Sequence, residues 1–375
     1  MIKSILLGLS WLFAALFFVL LLLSLLSGHY LSSLCLLIAT VLLIPPLRQW
    51  MADITGIPIP LWLRSILIPV LFITSIFLIF RVMGNKESIY KNPEIEKGLM
   101  TIYEHRMAQW PVPYESRYVD TQYGKVFVVI SGPEDAPPVL LLHASAMASW
   151  SWLYNIAGLN RHYRTYAIDT IGDAGRSVLA DIEDYPRDGE SLSGLYCGIM
   201  DSLGVQKACF IGASQGGFIS TNVALHAPER VVKLVLCGPM GYTGTNSSVL
   251  RILFTTLFPL QPIQDSATRW AFGDDPDINR AVGEWFSLIL KGVISRQARP
   301  QPFTRGQLRS LDLPVLLLLG ERDGLVGNPD KAGQHVQGMA DIQVEVLDTG
   351  HLISAEEPDR FNELVIRFIG KEEGD

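Results

Sequence analysis

Residues 207–218 read KACFIGASQGGF, and within them Gly212-Ala213-Ser214-Gln215-Gly216 fits G-x-S-x-G. An apolar run precedes the motif and a helical pattern begins at Gly217. That context predicts a sharp strand-to-helix turn. The central residue of such a turn is held in a strained conformation, so Gly on both sides keeps the neighbouring backbone from clashing. Its side chain then stands at a strand end and at a helix N-terminus, where the positive end of the helix dipole favours negative charge. Ser214 is therefore the candidate nucleophile.

A serine hydroxyl at its ordinary pKa is a poor nucleophile and needs a base that an acid orients. In sites built on this turn, the acid and then the histidine follow along the chain. Asp323 follows the apolar run Val315–Leu319 in LLLGERDG, and His351 follows Ile342–Leu347 in LDTGHLISAEEP. Both fall on loops after consecutive strands, which turns them toward the same sheet edge as Ser214. Glu321 and Asp330 are close in sequence and compete with Asp323 for the role of acid. An oxyanion needs donors already aimed where charge develops, each worth roughly 3 kcal/mol. The N–H of Gln215, after the nucleophile, is one candidate. The other comes from the loop His143-Ala144-Ser145-Ala146. The N–H of Ser145 is assigned to it, with Ala144 as the near alternative and His143 as a brace for the loop.

Outward from these motifs, the chain alternates short apolar runs with helical patterns. Lys125–Ile130 reads as a short, β-branched strand, and Val139–Leu142, Thr165–Ile168, Ala208–Ile211, Val231–Leu236 and Val315–Leu319 as strands buried on both faces. Alternation of this kind implies an α/β fold, with a parallel sheet, helices on both sides and right-handed crossovers. Asn92-Pro93-Glu94 has the grammar of a helix start, and the helix should end before Pro111-Val112-Pro113. More than 70 residues separate Cys237 from Val315. A loop that long without structure is improbable, so a helical lid insertion is expected over about 239–310.

The first quarter differs in composition. Residues 1–90 hold five basic side chains (Lys3, Arg48, Arg64, Arg81, Lys86) of the chain's 30 and two acids (Asp53, Glu87) of its 37. The runs at about 5–26, 31–47 and 61–80 lack a polar stripe, and the first has the roughly 20 residues needed to cross a bilayer. The expectation is a membrane anchor over 1–90 with two to three transmembrane helices, followed by a catalytic domain over 91–375. Placing Lys3, Arg48 and Arg64 on the cytoplasmic side gives a multi-pass protein of the cell membrane with its large domain outside the cytoplasm. The acidic remainder would repel phosphates, which argues against a nucleic-acid partner. Cys35, Cys197, Cys209 and Cys237 lack the spacing of a disulfide framework or zinc site. Asp169, beside Gly172 and Gly175, reads as a turn cap rather than a metal ligand. No metal or cofactor is called for.

Several stretches together resemble the α/β-hydrolase superfamily over roughly 93–370. They are WPVPYESRYV (110–119), SGPEDAPPVLLLHASAMASWSW (131–152), YRTYAIDTIGDAGRS (163–177), GASQGGF (212–218), APERV (227–231), LLLLGERD (316–323) and GHLISAEEPDRFN (350–362). Within the superfamily they look like bacterial carboxylesterases of the naproxen-esterase type. The resemblance implies a mostly parallel eight-stranded sheet with a helical lid. It also implies ester hydrolysis through an acyl-enzyme on Ser214, with Asp323 and His351 completing the triad. The superfamily usually has Gly after the oxyanion-loop histidine, where this chain has Ala144.

The expected activity is that of a serine hydrolase acting on a small-molecule or lipid-like ester. The same machinery would serve a thioester or an amide, whereas dehalogenases and epoxide hydrolases need Asp where this chain has Ser214. The lipid-like option and a membrane lipid partner rest on the expected anchor. The alternative is a non-catalytic hydrolase-fold membrane protein that binds a ligand or partner.

Overall fold

The computed structural model describes residues 2–26, 30–55, 60–82, 88–242, 262, 266, 269–270, 276–326 and 328–371. The described chain divides into a smaller N-terminal unit and a larger unit that carries the motifs above.

In the larger unit, the apolar runs form one nine-stranded sheet. The strands are β1 (Tyr114–Thr121), β2 (Gly124–Ser131), β3 (Pro138–Leu142), β4 (Arg164–Ile168), β5 (Val178–Leu179), β6 (Ala208–Ala213), β7 (Val231–Cys237), β8 (Val315–Gly320) and β9 (Ile342–Leu347). Their order is β1-β2-β4-β3-β6-β7-β8-β9, with the two-residue β5 paired to β2. β2 runs antiparallel to β1, β4 and β5, and every pair from β4 through β9 is parallel. The ninth strand, against the eight expected, is this short β5.

Period-two geometry explains the uninterrupted apolar runs. Val139 and Leu141 enter one core cluster while Leu140 and Leu142 enter the other, so successive side chains fill both faces of the sheet. The helix Pro93–Met107 starts as the sequence indicates, with the Asn92 side chain accepting the Ile95 N–H at 2.9 Å. It belongs to this unit, burying Leu99, Tyr103 and Met107 in the same core as β3. Of the lid insertion expected over 239–310, residues 243–261 and most of those to 275 lie outside the described residues. Its described part includes the helix Pro276–Gly292.

The N-terminal unit corrects the membrane reading. Its helices are Ile2–Leu26, Tyr30–Leu43, Pro45–Thr55 and Leu61–Val82, close to the apolar runs. Among the described residues, however, no helix is long and apolar enough to cross a membrane. Tyr30–Leu43 has 14 residues, about 21 Å of helix at ~1.5 Å per residue. Leu61–Val82 carries Pro69 in its interior. The helices instead pack on one another: Phe17, Leu21, Leu36 and Ala39 form a small core with Ile68, Leu71 and Phe72. Buried serines join them, Ser32 to Ser75 at 2.6 Å and Ser33 to Ser24 at 3.0 Å. The multi-pass anchor is overturned, and with it the cell-membrane localisation; the placement outside the cytoplasm and the bilayer as partner rested on that anchor and lose their support. Hydropathy counts apolar residues without registering which of them face each other.

Candidate active site

The turn after β6 has the strain its sequence implies. Ser214 has φ 50° and ψ −109°, a region that a non-glycine residue occupies at a cost of about 1–3 kcal/mol. Its neighbours must be Gly for reasons of space. A Cβ on Gly212 would lie 2.4 Å from the Gly216 carbonyl oxygen, and one on Gly216 would lie 2.1 Å from that of Leu142. The helix Gln215–His226 begins immediately after the serine. The Ser214 N–H is tied to the Cys237 carbonyl at 2.9 Å, which fixes the turn to the end of β7.

The candidate acid and base meet at the same edge. His351 Nδ1 lies 2.7 Å from Asp323 Oδ2, and both side chains are almost fully buried. The other carboxylate oxygen of Asp323 accepts the N–H groups of Leu325 and Val326 at 2.8 and 3.0 Å. Burial alone would raise the Asp323 carboxyl, but the charge and hydrogen bond of His351 and the two N–H groups outweigh it and lower its pKa. For His351, burial pulls the other way and is outweighed by Asp323, with help from Glu356, so its pKa is raised above 6.5. Glu321 and Asp330, the competing acids, are exposed. Asp330 instead sits in the first turn of the helix Pro329–His335.

Gly238 connects the pair to the serine turn. It follows Cys237, has φ 47°, and a Cβ there would lie 3.0 Å from Asp323 Oδ2 and 3.3 Å from His351 Nδ1. The carboxylate and imidazole thus close directly over the end of β7, the strand end that also holds the Ser214 N–H. Sequence reasoning passed over this glycine, because the contact it permits joins residues 85 or more positions apart.

The loop after β3 lies alongside. Register pairs Leu142 with Gly212, bringing His143–Ala146 next to the serine turn. His143 Nε2 accepts the Thr170 N–H at 2.9 Å, which leaves Nδ1 to donate to the Ala144 carbonyl at 2.8 Å. The imidazole therefore braces the loop. The Ser145 hydroxyl donates to Gln297 Oε1 at 3.0 Å, and the Gln215 side chain donates to the Ala298 carbonyl at 2.9 Å. Both residues assigned as backbone donors are thus anchored through their side chains to one segment, 297–298. Asp169 behaves as a turn cap: its two oxygens accept the N–H groups of Ser149 and Arg176, each at 2.8 Å. An apolar cavity lined by Ala144, Met147, Trp150, Trp152, Val282 and His351 opens beside the imidazole.

A further buried carboxylate, Asp173, escaped the sequence reading. It sits between Gly172 and Gly175 in the loop after β4 and is fully buried. Its partners from the 295–297 segment are distant in sequence, so only a lone acid between two glycines hinted at it.

The sequence matches the alpha/beta hydrolase family over residues 139–364. An uncharacterized carboxylesterase, nap, of Bacillus subtilis (strain 168) is 32% identical over 296 residues, covering 72% of this chain and 92% of its own length. The crystal structure of carboxylesterase CesB (YbfK) from Bacillus subtilis superposes with a TM-score of 0.68 at 28% identity, covering 74% of this chain and all of that one. That of naproxen esterase (carboxylesterase NP) from Bacillus subtilis gives 0.67 at 30% identity, covering 72% and 96%.

Proposed function

Since the chain belongs to the alpha/beta hydrolase family and is an ester-hydrolysing enzyme of carboxylesterase type, we propose that it cleaves its ester through an acyl-enzyme on Ser214. His351 takes the Ser214 hydroxyl proton on Nε2, its Nδ1 being committed to Asp323. The serine oxygen adds to the ester carbonyl carbon, and the carbonyl oxygen takes up negative charge facing the N–H groups of Gln215 and Ser145. As the tetrahedral intermediate collapses, the imidazolium gives the proton to the departing alkoxide and the alcohol leaves. Water then repeats the sequence against the acyl-enzyme, releasing the acid and restoring the serine. Asp323 stays ionised throughout, holding the imidazole orientation and balancing its transient charge.

One observation carries this reading: the buried Asp323–His351 pair at 2.7 Å packs against the strand end that holds the strained Ser214. The side chains lining the small cavity beside His351 are aromatic and aliphatic, which favours an ester with an apolar acyl or alcohol group. The argument for lipid-like esters falls with the anchor it rested on. The domain limits of 91–375, with a lid over 239–310, are part of the same proposal. The test is labelling by a fluorophosphonate probe, which reacts with activated serines. Wild type is expected to label and to turn over a p-nitrophenyl ester, and Ser214→Ala to do neither. Equal labelling of folded Ser214→Ala would remove the serine from the mechanism.

A further inference from the structure

Asp173 lies outside the triad, yet its hydrogen bonds converge on the loop expected to hold the oxyanion. Its carboxylate is fully buried and accepts four bonds. Oδ2 takes the Ala146 N–H at 2.7 Å and Gln297 Nε2 at 3.1 Å, and Oδ1 takes the Ala174 N–H at 2.9 Å and the Ser295 hydroxyl at 3.1 Å. All four donors are uncharged. A buried carboxylate held this way is costly compared with a neutral residue, so a structural ground for its presence must lie in what it holds.

What it holds is strained. Ala146 has φ 62°, uncommon for a residue with a Cβ, and such strain persists only where surroundings over-determine it. Here it is clamped from both sides, its N–H by Asp173 and its carbonyl by the indole N–H of the buried Trp285 at 2.7 Å. Ala146 directly follows Ser145, whose N–H is the assigned donor. Ser145 is tied to the same carboxylate by a second route, since Gln297 accepts its hydroxyl at 3.0 Å while donating to Asp173. Gly172 keeps the cradle closed, because a Cβ there would lie 2.1 Å from the Arg296 carbonyl oxygen.

We propose that Asp173 is a positioning residue for the oxyanion hole, holding Ser145 and Ala146 in the strained loop geometry through Ala146 N–H and Gln297. This rests on the Ser214 reading above. Asparagine at position 173 keeps the shape but turns one acceptor into a donor that faces other donors, so the loop relaxes away from its aimed position. Because the hole acts only on the charged intermediate, the loss falls on the transition state.

The experiment measures p-nitrophenyl ester kinetics per active site, with sites counted by fluorophosphonate titration. For Asp173→Asn, kcat per titrated site is expected to fall about 10²-fold, the size of an ångström-scale misplacement or a lost oxyanion donor. KM should stay within about threefold, and affinity for a boronic-acid transition-state analogue should fall in parallel with kcat/KM. Gln297→Ala, which leaves the carboxylate and its backbone partner intact, should cost about tenfold, and adding it to Asp173→Asn should cost little more, since the two act through one path. Unchanged kcat per titrated site in Asp173→Asn, or a loss confined to the number of titratable sites, would overturn the proposal. If Asp173→Asn does not fold, Gln297→Ala decides, with wild-type kcat and analogue affinity as the contrary result. Failure of the underlying reading looks different, because Ser214→Ala would then retain turnover whatever happens at position 173.

Discussion

Asp323 and Asp173 are buried carboxylates of the same catalytic unit, each accepting backbone N–H groups, and their surroundings give them opposite character. Asp323 faces His351 at 2.7 Å, and that charge partner outweighs burial and lowers its pKa. Asp173 is met by amide and hydroxyl donors, so burial dominates and its pKa is raised, with His143 and the hydrogen bonds only partly opposing it. The first arrangement suits a group that must stay ionised beside an imidazolium. The second suits a group that binds neutral donors and takes no part in proton transfer. The difference shows that a buried acid acquires its role from the charge of its neighbours, and that burial by itself assigns none.

The largest expected contrast is catalytic. Asp323→Asn should lower kcat by about 10⁴-fold, since the histidine loses both its orienting acceptor and its charge balance. Asp173→Asn is expected to cost about a hundredth of that. Steady-state kinetics on purified, folded variants measure both, and equal losses would dissolve the distinction. Next in size is Gly238→Ala. A methyl group 3.0 Å from Asp323 Oδ2, on a residue at φ 47°, must push the acid–base pair away from the serine turn. Turnover should fall about 10²-fold, while fluorescence-monitored unfolding shows a loss of only about 1–2 kcal/mol from the left-handed backbone.

A smaller effect concerns pH. As the proposed base, His351 has to be neutral to accept the serine proton, so kcat/KM is expected to rise with pH as it loses its proton. Because its pKa is raised, the midpoint of that rise should lie above 6.5; a midpoint at or below 6.5 would mean that Asp323 does not hold the imidazole in the working enzyme. The smallest expected effect is on stability. Asp323, lowered in the folded state, contributes stability that is present above pH 3.8 and lost as pH falls through its folded pKa. Asp173, raised in the folded state, works in the other direction: its contribution is present below pH 3.8 and lost as pH rises through its folded pKa. Besides His143, Tyr90 and Tyr196 face Asp173 electrostatically. Urea unfolding from pH 3 to 7 should therefore give stability differences from wild type that slope oppositely for the two asparagine variants. Parallel slopes would indicate that both acids have the same kind of environment.

The N-terminal unit marks where pattern reading failed. Its runs contain the right residues for spans, and helices do form there. Yet Phe17 packs on Phe72 with ring centroids 5.0 Å apart, and serines that look incidental in sequence pair in the interior of the unit. Within the catalytic unit, by contrast, strand positions, the helix at Asn92 and the family itself were legible, because continuous apolar runs and glycine-flanked turns constrain the backbone locally.

Sequence alone determined the serine turn at 212–216, the alternation that builds a parallel sheet and the loop positions of the candidate acid and histidine after it. These depend on steric rules and periodicities that act within a few residues. Tertiary structure decided which carboxylate meets His351, why position 238 carries no side chain and what Asp173 grips. The partners in those contacts lie far apart in the chain, 28 residues between Asp323 and His351 and 124 between Asp173 and Gln297. Charge, burial and space at such points arise only once the sheet has brought its strand ends together.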